Sequence, residues 1–469
     1  MPIADDDQLT LGQAIFATAD LGDQRRSRRL AQAFDQVRRH PGGSLPDKLQ
    51  SPRDLKALYR LMDCEAVTHA ALLTPIRAHT QRRIDDHAGP VLVLHDATEL
   101  DYTSHDSLAD ELGQIGQGPG RGYICQNVLA VDPQTGATLG LLDQVLHRRD
   151  EVPAGETLTA SRERETRESL LWLRGTRHLP ADRQLIDVAD QGADTFEFLE
   201  HECRSQRRFV IRSHHSRKVY AGHQPQGRPL RLKDHARRLP SLDSREQNIQ
   251  AQQGARPRKA RRAAQLQVSA APVLVCRPHA KCGRHGNAPL PLYVVRVWEA
   301  NPPKGEKPIE WVLLTNEPVL TAEDAWRVVG WYQWRWVIEE FHKALKTGCG
   351  IEELQFTAAE RLQPMIALLS AVATTLLNLR DAARDPETAT RRATTFLAEE
   401  YVEVLSLQRY RKLRPHLTVL EFYQALARLG GHQNRKRDGF PGWLVLWRGW
   451  AKLQCMLDGY LAAKHKQCG

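Results

Sequence analysis

The order of short apolar runs between residues 91 and 190 is the feature that most restricts what this chain can fold into. The runs and the patterns between them are, in chain order, a strand at 91–94, a strand at 123–131, a turn at 132–136, a strand at 138–146, a helix at 162–174 and a strand at 184–189. The first run ends at Asp96 and the last at Asp190. A strand, an antiparallel hairpin, a helix and a further strand predict an α/β fold with a mixed five-stranded sheet and flanking helices.

The segments on either side of this core have different patterns. Residues 8–75 repeat apolar side chains at helical spacing, whereas 196–320 contains short β-type runs separated by glycine, proline and charge. From residue 323 the pattern is helical again. A chain of 469 residues exceeds one ordinary hydrophobic core. We predict a helical domain at 1–75, an α/β domain at 76–370 that contains a β-rich basic insertion at 196–320, and a helical domain at 371–469.

Positive charge is concentrated in two places. The formal net charge is +10, and residues 204–262 contain 17 Lys or Arg against 3 Asp or Glu. A second basic cluster near the N-terminus consists of Arg25, Arg26, Arg28 and Arg29. A solvated surface is one interpretation of such runs. Two clusters that flank acidic, strand-like segments favour a track for nucleic-acid phosphates.

Features of a secreted or membrane protein are not evident. Asp5, Asp6 and Asp7 precede any apolar run, which is unlike a signal peptide. The most apolar run, 365–379, contains polar residues and is shorter than a membrane span. The eight cysteines are scattered rather than arranged as a disulfide framework. We expect a cytoplasmic protein with no membrane partner.

One run of cysteines and histidines has two interpretations. Cys276, His279, Cys282 and His285 alternate at even spacing, and thiolates with imidazoles are good zinc ligands. Zinc ligands usually come in pairs from separated elements, whereas Pro278 and nearby glycines are typical of a turn. The tip of a β-hairpin is the favoured interpretation, and zinc binding stays open.

Three carboxylates have the placement that a metal site requires. Asp96 and Asp190 each follow a buried strand, and Glu339 lies in a helical pattern. Carboxylates that converge from two strands and a helix can hold two Mg²⁺ ions, or Mn²⁺ in their place, about 3.5–4 Å apart. Three neighbouring acids compete for these assignments: Asp187, Asp194 and Glu340.

The helical pattern around Glu339 contains several functional types of side chain. Tyr332, Arg335, Glu339 and Lys346 fall at offsets 0, 3, 7 and 14, which predicts one stripe along a continuous helix. An aromatic ring, a guanidinium, a carboxylate and an ammonium group are unsuited to a core. They suit a face that holds a metal ion with phosphates on either side.

The same four residues carry a family resemblance. Their spacing resembles the YREK box of the DDE transposases, and in particular the Tn-five-type cut-and-paste transposases of bacterial insertion sequences. Other segments resemble this class along nearly the whole chain: Leu21-Gly-Asp-Gln-Arg-Arg, Val188-Ala-Asp-Gln-Gly-Ala-Asp194, Arg208-Phe-Val-Ile-Arg212, Asn301-Pro-Pro-Lys-Gly-Glu, Trp311-Val-Leu-Leu-Thr, Ala427-Arg-Leu-Gly-Gly and Trp447-Arg-Gly-Trp450. The chain departs from the class around Asp96, which His95 precedes and where Ala97 and Glu99 stand in place of small hydroxyl residues.

The resemblance implies a fold, an activity and a set of roles. The fold would be RNase H-like, and the activity would be metal-dependent transposition through a 3′-hydroxyl, a DNA hairpin and strand transfer into target DNA. Asp96, Asp190 and Glu339 would be the catalytic ligands of two Mg²⁺ ions. The residues implied to contact DNA are Tyr332, Arg335 and Lys346 at a 5′ phosphate, Trp311 at a flipped base, Arg212 near the cleavage site, and Arg25, Arg26 and Arg29 at the terminal inverted repeat. A homodimer that pairs two DNA ends would assemble through 371–469.

Several alternatives stay open beside this hypothesis. A non-catalytic regulator of transposition, or an inactive relic, would share the fold, and a host nuclease would not need the C-terminal helices. Trp311 fits either a stacking platform or a core position. A C-terminal stripe at helical spacing is typical of a core, although the resemblance favours a dimer interface; its members are Trp443, Leu446, Trp447, Trp450 and Leu457.

Overall fold

The N-terminal region is helical in the computed structural model, which describes residues 10–151, 155–180, 182, 184–249, 262–278, 285–435 and 438–467. Its helices are α1 (Leu11–Phe16), α2 (Gln24–Arg39), α3 (Leu45–Leu49), α4 (Pro52–Met62) and α5 (His69–Asp85). Four of them begin at side chains that accept a hydrogen bond from a first-turn N–H, namely Thr10, Asp23, Ser51 and Thr68. Such caps satisfy donors that a helix start leaves unpaired. Local sequence signals therefore explain why this region is helical.

A single mixed sheet runs through the middle of the chain. In the described residues its strands are β1 (Val91–Asp101), β2 (Gly113–Gln114), β3 (Arg121–Val131), β4 (Thr138–His147), β5 (Leu185–Ala189), β6 (Arg208–Arg212), β7 (Lys218–Ala221), β8 (Leu230–Arg231), β9 (Asp243–Ile249), β10 (Arg262–Val275), β11 (Leu290–Glu299) and β12 (Glu310–Thr315). Their order is β2-β3-β1-β5-β6-β12-β11-β10-β7-β8, with β4 beside β3 and β9 beside β10.

Strand β1 is at the centre of the five strands that the sequence predicts. It pairs antiparallel with β3 and parallel with β5, while β5 pairs parallel with β6 and β3 forms a hairpin with β4. The predicted end of this strand near Asp96 is wrong, because β1 continues to Asp101. β3 still pairs with β1 after the parallel pairing has stopped at Ala189 of β5.

The connection between β4 and β5 is less regular than predicted. Instead of one helix over 162–174, it contains α6 (Leu158–Glu163), a 3-10 turn and α7 (Leu171–Thr176). Arg164 ends α6 because its backbone is extended, with φ −60° and ψ 126°. After β5, α8 (Phe196–Arg204) leads to β6.

The β-rich region begins later in the chain than predicted, and one of its strands is longer than predicted. β6 belongs to the parallel part of the sheet, so the insertion of extra strands starts after Arg212. Although only short β-type runs are predicted in this region, residues Arg262–Val275 form one long strand, β10. The segment 222–249 includes β8, α9 (Leu232–Arg238) and β9; positions 250–261 lie outside the described residues.

The predicted continuous helix across Tyr332–Lys346 is wrong. The chain forms α10 (Ala322–Gln333) and α11 (Trp336–Lys343), followed by a π-helical turn at Ala344–Gly348. Between the helices the backbone bonds tighten to i→i−3, as from Arg335 N–H to the Tyr332 carbonyl at 3.1 Å. The helix is first overwound and then underwound, so side chains do not follow one straight stripe.

Helix α12 (Ala359–Arg384) is the central core helix. By length and composition this helix could cross a membrane, because its most apolar 18-residue stretch has a mean hydropathy of 1.6. However, 83% of that stretch is buried inside the protein. It packs on α5 and β4. Burial against protein explains the apolar composition of this helix.

The C-terminal stripe packs within one chain. The remaining helices are α13 (Pro386–Ala389), α14 (Glu399–Tyr410), α15 (Val419–Leu429) and α16 (Trp443–Gln467). Trp443, Leu446, Trp450 and Leu457 are each at most 5% exposed, and Trp447 packs against them. The prediction that this stripe is a dimer interface is therefore wrong. Residues of α14 and α15 cover it, as where Tyr401 stacks on Trp450 with ring centroids 5.0 Å apart.

Candidate active site

Neighbouring parallel strands carry Asp96 and Asp190. The parallel pairing of β1 with β5 ends at His95 and Ala189, so each aspartate directly follows the last pair. Asp190 leaves the sheet and accepts a hydrogen bond from the Gly192 N–H at 2.8 Å. Asp96 stays in β1. Both carboxylates consequently lie at the same edge, where the parallel pairing stops.

Ion pairs neutralise both competing aspartates. Asp187 is fully buried and accepts hydrogen bonds from His95 at 2.6 Å and from Arg207 at 2.6 and 3.0 Å. Asp194 accepts two backbone N–H groups and pairs with Arg217 at 2.8 Å. These contacts give both side chains structural roles. Asp190 is the better candidate for a metal ligand.

Trp334 determines where the helix that carries Glu339 begins. Its indole Nε1 donates to the Pro133 carbonyl at 2.7 Å, in the turn between β3 and β4. A Cβ on Gly136 would lie 2.2 Å from the indole ring, and Gly136 has φ +72°. Only glycine tolerates both conditions. The contact anchors the break between α10 and α11 and directs α11 along β1.

Glu339 and its neighbour Glu340 have different surroundings. Glu340 forms an ion pair with the fully buried Arg380 and lies 3.9 Å from Arg384. Glu339 is 34% exposed in its side chain and lies 3.5 Å from Arg335. Glu340 therefore holds α11 to α12, and Glu339 faces the sheet edge.

Arg335 lies between two of the predicted acids. Its Nη1 is 3.0 Å from Oδ2 of Asp96, and its Nη2 is 3.5 Å from Oε1 of Glu339. Among the described residues, possible ligand atoms of Asp96, Glu339 and His342 lie within 4.8 Å of one another. Asp190 is outside this closest group, but its charge acts on Asp96. The structure thus brings two acids, a guanidinium and an imidazole together, with the third acid nearby.

The electrostatics of this cluster are unusual. Burial raises the pKa of Asp96 to about 7; Arg335 opposes the rise, and Asp190 and Glu339 add to it. Burial also lowers the pKa of His342 to about 3. A buried carboxylate crowded by other carboxylates is stabilised by a cation, and such perturbed groups cluster at functional sites.

An open cleft lies between the strands of the β-rich region and the end of α10, and none of the clustered acids lines it. It has a volume of about 540 Å³, and its lining includes Arg212, Arg262, Lys307, Trp311 and Gln333. Trp311 is half-buried and meets Tyr332 edge to face, with ring centroids 5.1 Å apart. Burial raises the pKa of Tyr332, and the Arg335 and Arg212 guanidinium groups partly offset the rise. Trp311 therefore contacts the core on one side and solvent on the other.

Lys346 lies in the π-helical turn after α11. Its Nζ is 2.9 Å from Oε1 of Glu352, and its charge helps to lower the pKa of His342. Lys346 thus remains near the cluster, although the helix between Tyr332 and Lys346 is irregular.

The three N-terminal arginines differ in how much of the side chain is exposed. Arg25 is 88% exposed beside Asp23. Arg26 donates to the Leu21 carbonyl at 2.8 Å, and Arg29 pairs with Asp54 of α4 at 3.0 Å. Two of the three predicted DNA contacts therefore also stabilise the helical region.

Acids elsewhere in the chain neutralise much of the charge in 204–262. Among the described residues, the arginines with such partners are Arg204, Arg207, Arg208, Arg217, Arg237, Arg245 and Arg262. A local excess of positive charge in the sequence consequently overstates the positive charge at this surface.

The cysteine and histidine run falls only partly within the structure. His279 and Cys282 lie outside the described residues. His285 packs edge to face on Phe196, with ring centroids 5.1 Å apart, and Cys276 follows β10.

Two residues of the cluster were missed from the sequence. His342 follows Glu339 by one helical turn, a spacing that could have been noticed. Asn127 lies opposite Asp96 in β3 and approaches His342 Nε2 at 3.2 Å. No local signal distinguishes this asparagine from any other buried strand residue.

Comparison with known protein families gives an independent finding for the N-terminal helices. Residues 12–67, which span most of α1 and all of α2 to α4, match the transposase DNA-binding family. The match lies within the helical region predicted at 1–75 and contains Arg25, Arg26 and Arg29. It supports DNA as a partner of this chain, and a transposase as its class.

Proposed function

We propose that this protein is a DDE-type DNA transposase that performs metal-dependent cut-and-paste transposition in the cytoplasm. The observation that carries the proposal is the cluster of Asp96, Glu339 and Arg335, with Asp190 nearby, in a chain whose N-terminal helices match a transposase DNA-binding family. A DNA-binding region combined with crowded carboxylates at a sheet edge suits phosphoryl transfer on DNA.

The strand order supports an RNase H-like catalytic core. Five neighbouring strands have the order β4-β3-β1-β5-β6. The strands β4, β3 and β1 pair antiparallel with one another, and β5 and β6 continue the sheet parallel to β1. Such a core would place one acid on the central strand, one after the adjacent parallel strand and one on a following helix. Asp96, Asp190 and Glu339 occupy these positions. The division at 1–75, 76–370 and 371–469 belongs to the same proposal, although both boundaries fall inside helices, α5 and α12.

The residues fit two Mg²⁺ ions, or Mn²⁺. Asp96, Asp190 and Glu339 would hold them, because hard cations prefer carboxylate oxygens. The raised pKa of Asp96 indicates that its carboxylate lacks full compensation by Arg335. When bound, the metals would activate a water or 3′-hydroxyl and stabilise the leaving oxygen.

The remaining residues would position DNA for cleavage, for a hairpin step and for strand transfer. Arg335, with a planar guanidinium, would hold a phosphate together with Tyr332 and Lys346. Trp311 borders the cleft and would offer a ring on which a flipped base stacks. Arg212 lines the same cleft and would contact the backbone near the cleavage site.

The proposal is tested with DNA that carries the inverted repeats flanking the reading frame. Asp96→Ala and Asp190→Ala should each abolish strand cleavage in Mg²⁺ while binding of the repeat DNA persists, because binding depends on phosphate contacts elsewhere. Electron paramagnetic resonance of Mn²⁺ should show loss of bound metal in both variants. Asp194→Ala is the control for a neighbouring structural aspartate: it should lower the melting temperature, because Arg217 loses its partner, while the folded protein still cleaves. Metal-independent cleavage, or full cleavage by either catalytic variant, would refute the proposal.

We further propose that a homodimer pairs two DNA ends. The buried stripe on α16 is not available for this contact, but Leu444 and Met456 are 41% and 38% exposed on the same helix. Leu444→Asp with Met456→Asp should preserve binding of a single repeat and prevent the paired-end complex in gel-shift and sedimentation assays. Normal paired complexes would exclude these exposed positions of α16.

A further inference from the structure

Asn127 contacts the candidate site from inside the sheet. It is fully buried and stands directly opposite Asp96, so both side chains lie on the same face of the sheet. Its Nδ2 is 3.2 Å from Nε2 of His342. His342 is also the one imidazole within 4.8 Å of Asp96 and Glu339 in the described cluster.

The orientation of the Asn127 amide is determined from two sides. Nδ2 lies 3.2 Å from the Cys125 carbonyl oxygen, which can only accept a hydrogen bond. Oδ1 lies 2.8 Å from Nε2 of Gln144. The Cys125 contact requires that Nδ2 is the donor, and the Gln144 contact agrees with it.

The Gln144 amide is determined independently. Its Nε2 lies 2.7 Å from Oγ of Ser370, and that hydroxyl donates its hydrogen to the Ile366 carbonyl at 2.7 Å. Ser370 must therefore accept from Gln144. The other end of the amide, Oε1, faces Nε2 of His69 at 3.0 Å. The direction of every hydrogen bond leading to Asn127 is thus specified.

This direction has a consequence for His342. Asn127 Nδ2 donates to Nε2 of His342, so Nε2 carries no hydrogen and its lone pair is engaged. The hydrogen of the neutral ring is then on Nδ1, which cannot bind a metal while protonated. Neither ring nitrogen offers a free lone pair, although the ring stands at ligand distance from the carboxylates.

We propose that Asn127 determines the metal preference of the site by withholding His342 from the metal. The site then presents carboxylate oxygens alone, which suit the hard cations Mg²⁺ and Mn²⁺ and deny Zn²⁺ the nitrogen ligand that would raise its affinity. This inference rests on the proposed function for the identity of the site. Without the Asn127 amide, the tautomer of His342 is no longer fixed, and a ring nitrogen can become a free ligand beside Asp96 and Glu339. Two carboxylates and an imidazole are a ligand set for zinc.

The experiment measures metal affinity of the full-length protein without DNA. Zn²⁺ and Mn²⁺ are titrated by calorimetry, and Co²⁺ is used to detect nitrogen ligation by its visible absorption. Asn127→Ala should bind Zn²⁺ at least about tenfold more tightly than the unmodified protein, with little change for Mn²⁺. Asn127→Ala combined with His342→Ala should lose the gain. Any zinc that binds at the Cys276 run contributes equally in the unmodified protein and in the variants, so it does not affect the difference in zinc affinity between them.

Two further variants separate this effect from general damage. Gln126→Ala removes the adjacent buried amide, whose side chain is on the opposite face of β3, and should leave both affinities unchanged. Asn127→Leu keeps the volume of the side chain and should reproduce the zinc gain if Asn127→Ala does not fold.

Two results would overturn the inference. One is unchanged zinc affinity in folded Asn127 variants, and the other is loss of zinc affinity on His342→Ala in the otherwise unmodified protein. Failure of the proposed function is a different result: Mn²⁺ would not bind, or would bind equally well after Asp96→Ala. The zinc series reports on Asn127 in either case.

Discussion

Two clusters of charged side chains lie side by side where β1 and β5 run parallel, one inside the sheet and one at its edge. They differ in how far the charges within each cluster are compensated. The buried cluster consists of His95, Asp187, Glu202 and Arg207, and the candidate site consists of Asp96, Asp190, Glu339 and Arg335. Strand alternation sends the His95 and Asp96 side chains to opposite faces of the sheet. Similar residue types are therefore placed in two different environments.

The pKa directions express the difference. Burial acts to raise the pKa of both aspartates. For Asp187, Arg207 and His95 overcome this effect, and the pKa is lowered. For Asp96, Arg335 does not overcome it, and the pKa is raised to about 7. Asp187, with its partners complete, holds the fold together, whereas the incompletely compensated Asp96 at the sheet edge is available for a ligand. Glu202 also has its pKa raised by burial and by Asp187, but it is fully buried.

The adjacent glutamates provide the strongest test of this comparison. Glu339→Ala should reduce strand cleavage by about 1,000-fold or more, equivalent to about 4 kcal/mol in the barrier, with little change in unfolding. Glu340→Ala removes a partner of buried Arg380 and should lower the melting temperature while the folded protein still cleaves. Cleavage and unfolding assays on both variants test this difference. Loss of cleavage in Glu340→Ala, with cleavage retained in Glu339→Ala, would identify Glu340 as the metal ligand instead.

The aspartates of β5 and the turn after it should differ in stability. Asp187→Ala leaves Arg207 buried with an incomplete set of partners, so the free energy of unfolding should fall by about 3–5 kcal/mol. Asp190→Ala should change it by only about 1 kcal/mol, because it loses the hydrogen bond from the Gly192 N–H but leaves no buried charge without a partner. Urea unfolding of the two variants measures both values. Equal losses would mean that Asp190 is also a structural residue.

The tryptophans of β11 and β12 allow the same comparison of a functional with a structural residue for aromatic side chains. Trp311→Ala should slow formation of the DNA hairpin by a factor equivalent to about 1–3 kcal/mol, the usual value of base stacking, and leave first-strand nicking unchanged. Trp298 is another half-buried tryptophan of this sheet, paired with Glu310 in the register next to Trp311. Trp298→Ala should affect no single step selectively. A depressed melting temperature with equal loss of every step would identify Trp311 as a core residue.

The arginines of α2 should give the smallest effects. Arg25 is largely exposed, whereas Arg29 is paired with Asp54. Arg25→Ala should reduce the salt dependence of repeat binding by about one phosphate contact without a change in stability. Arg29→Ala should cost up to about 1 kcal/mol of stability as well, because it also breaks an ion pair. Repeat binding at several salt concentrations, together with unfolding measurements, distinguishes the two variants. Arg391→Ala in the C-terminal region is the control and should leave the salt dependence of binding unchanged.

Local patterns in the sequence determined the elements of the fold and their order. The helical N-terminal region, the hairpin around residues 132–136 and the strand that ends before Asp190 are all present. Periodicity, helix caps and turn residues act over a few neighbouring positions, so these elements could be predicted. The predictions failed where distant partners decide the outcome: β3 extends β1 beyond Asp96, and Trp334 interrupts the helix before Arg335.

Only the tertiary structure decided which acids are compensated. Asp187, Asp190 and Asp194 look alike in the sequence, as do Glu339 and Glu340. Their partners are remote: Arg335 meets Asp96 across 239 positions, and His95 meets Asp187 across 92. The same holds for Asn127, which contacts His342 across 215 positions. The sequence by itself determined where carboxylates could be placed, and packing determined which of them are left for a metal, because compensation depends on contacts that no local pattern contains.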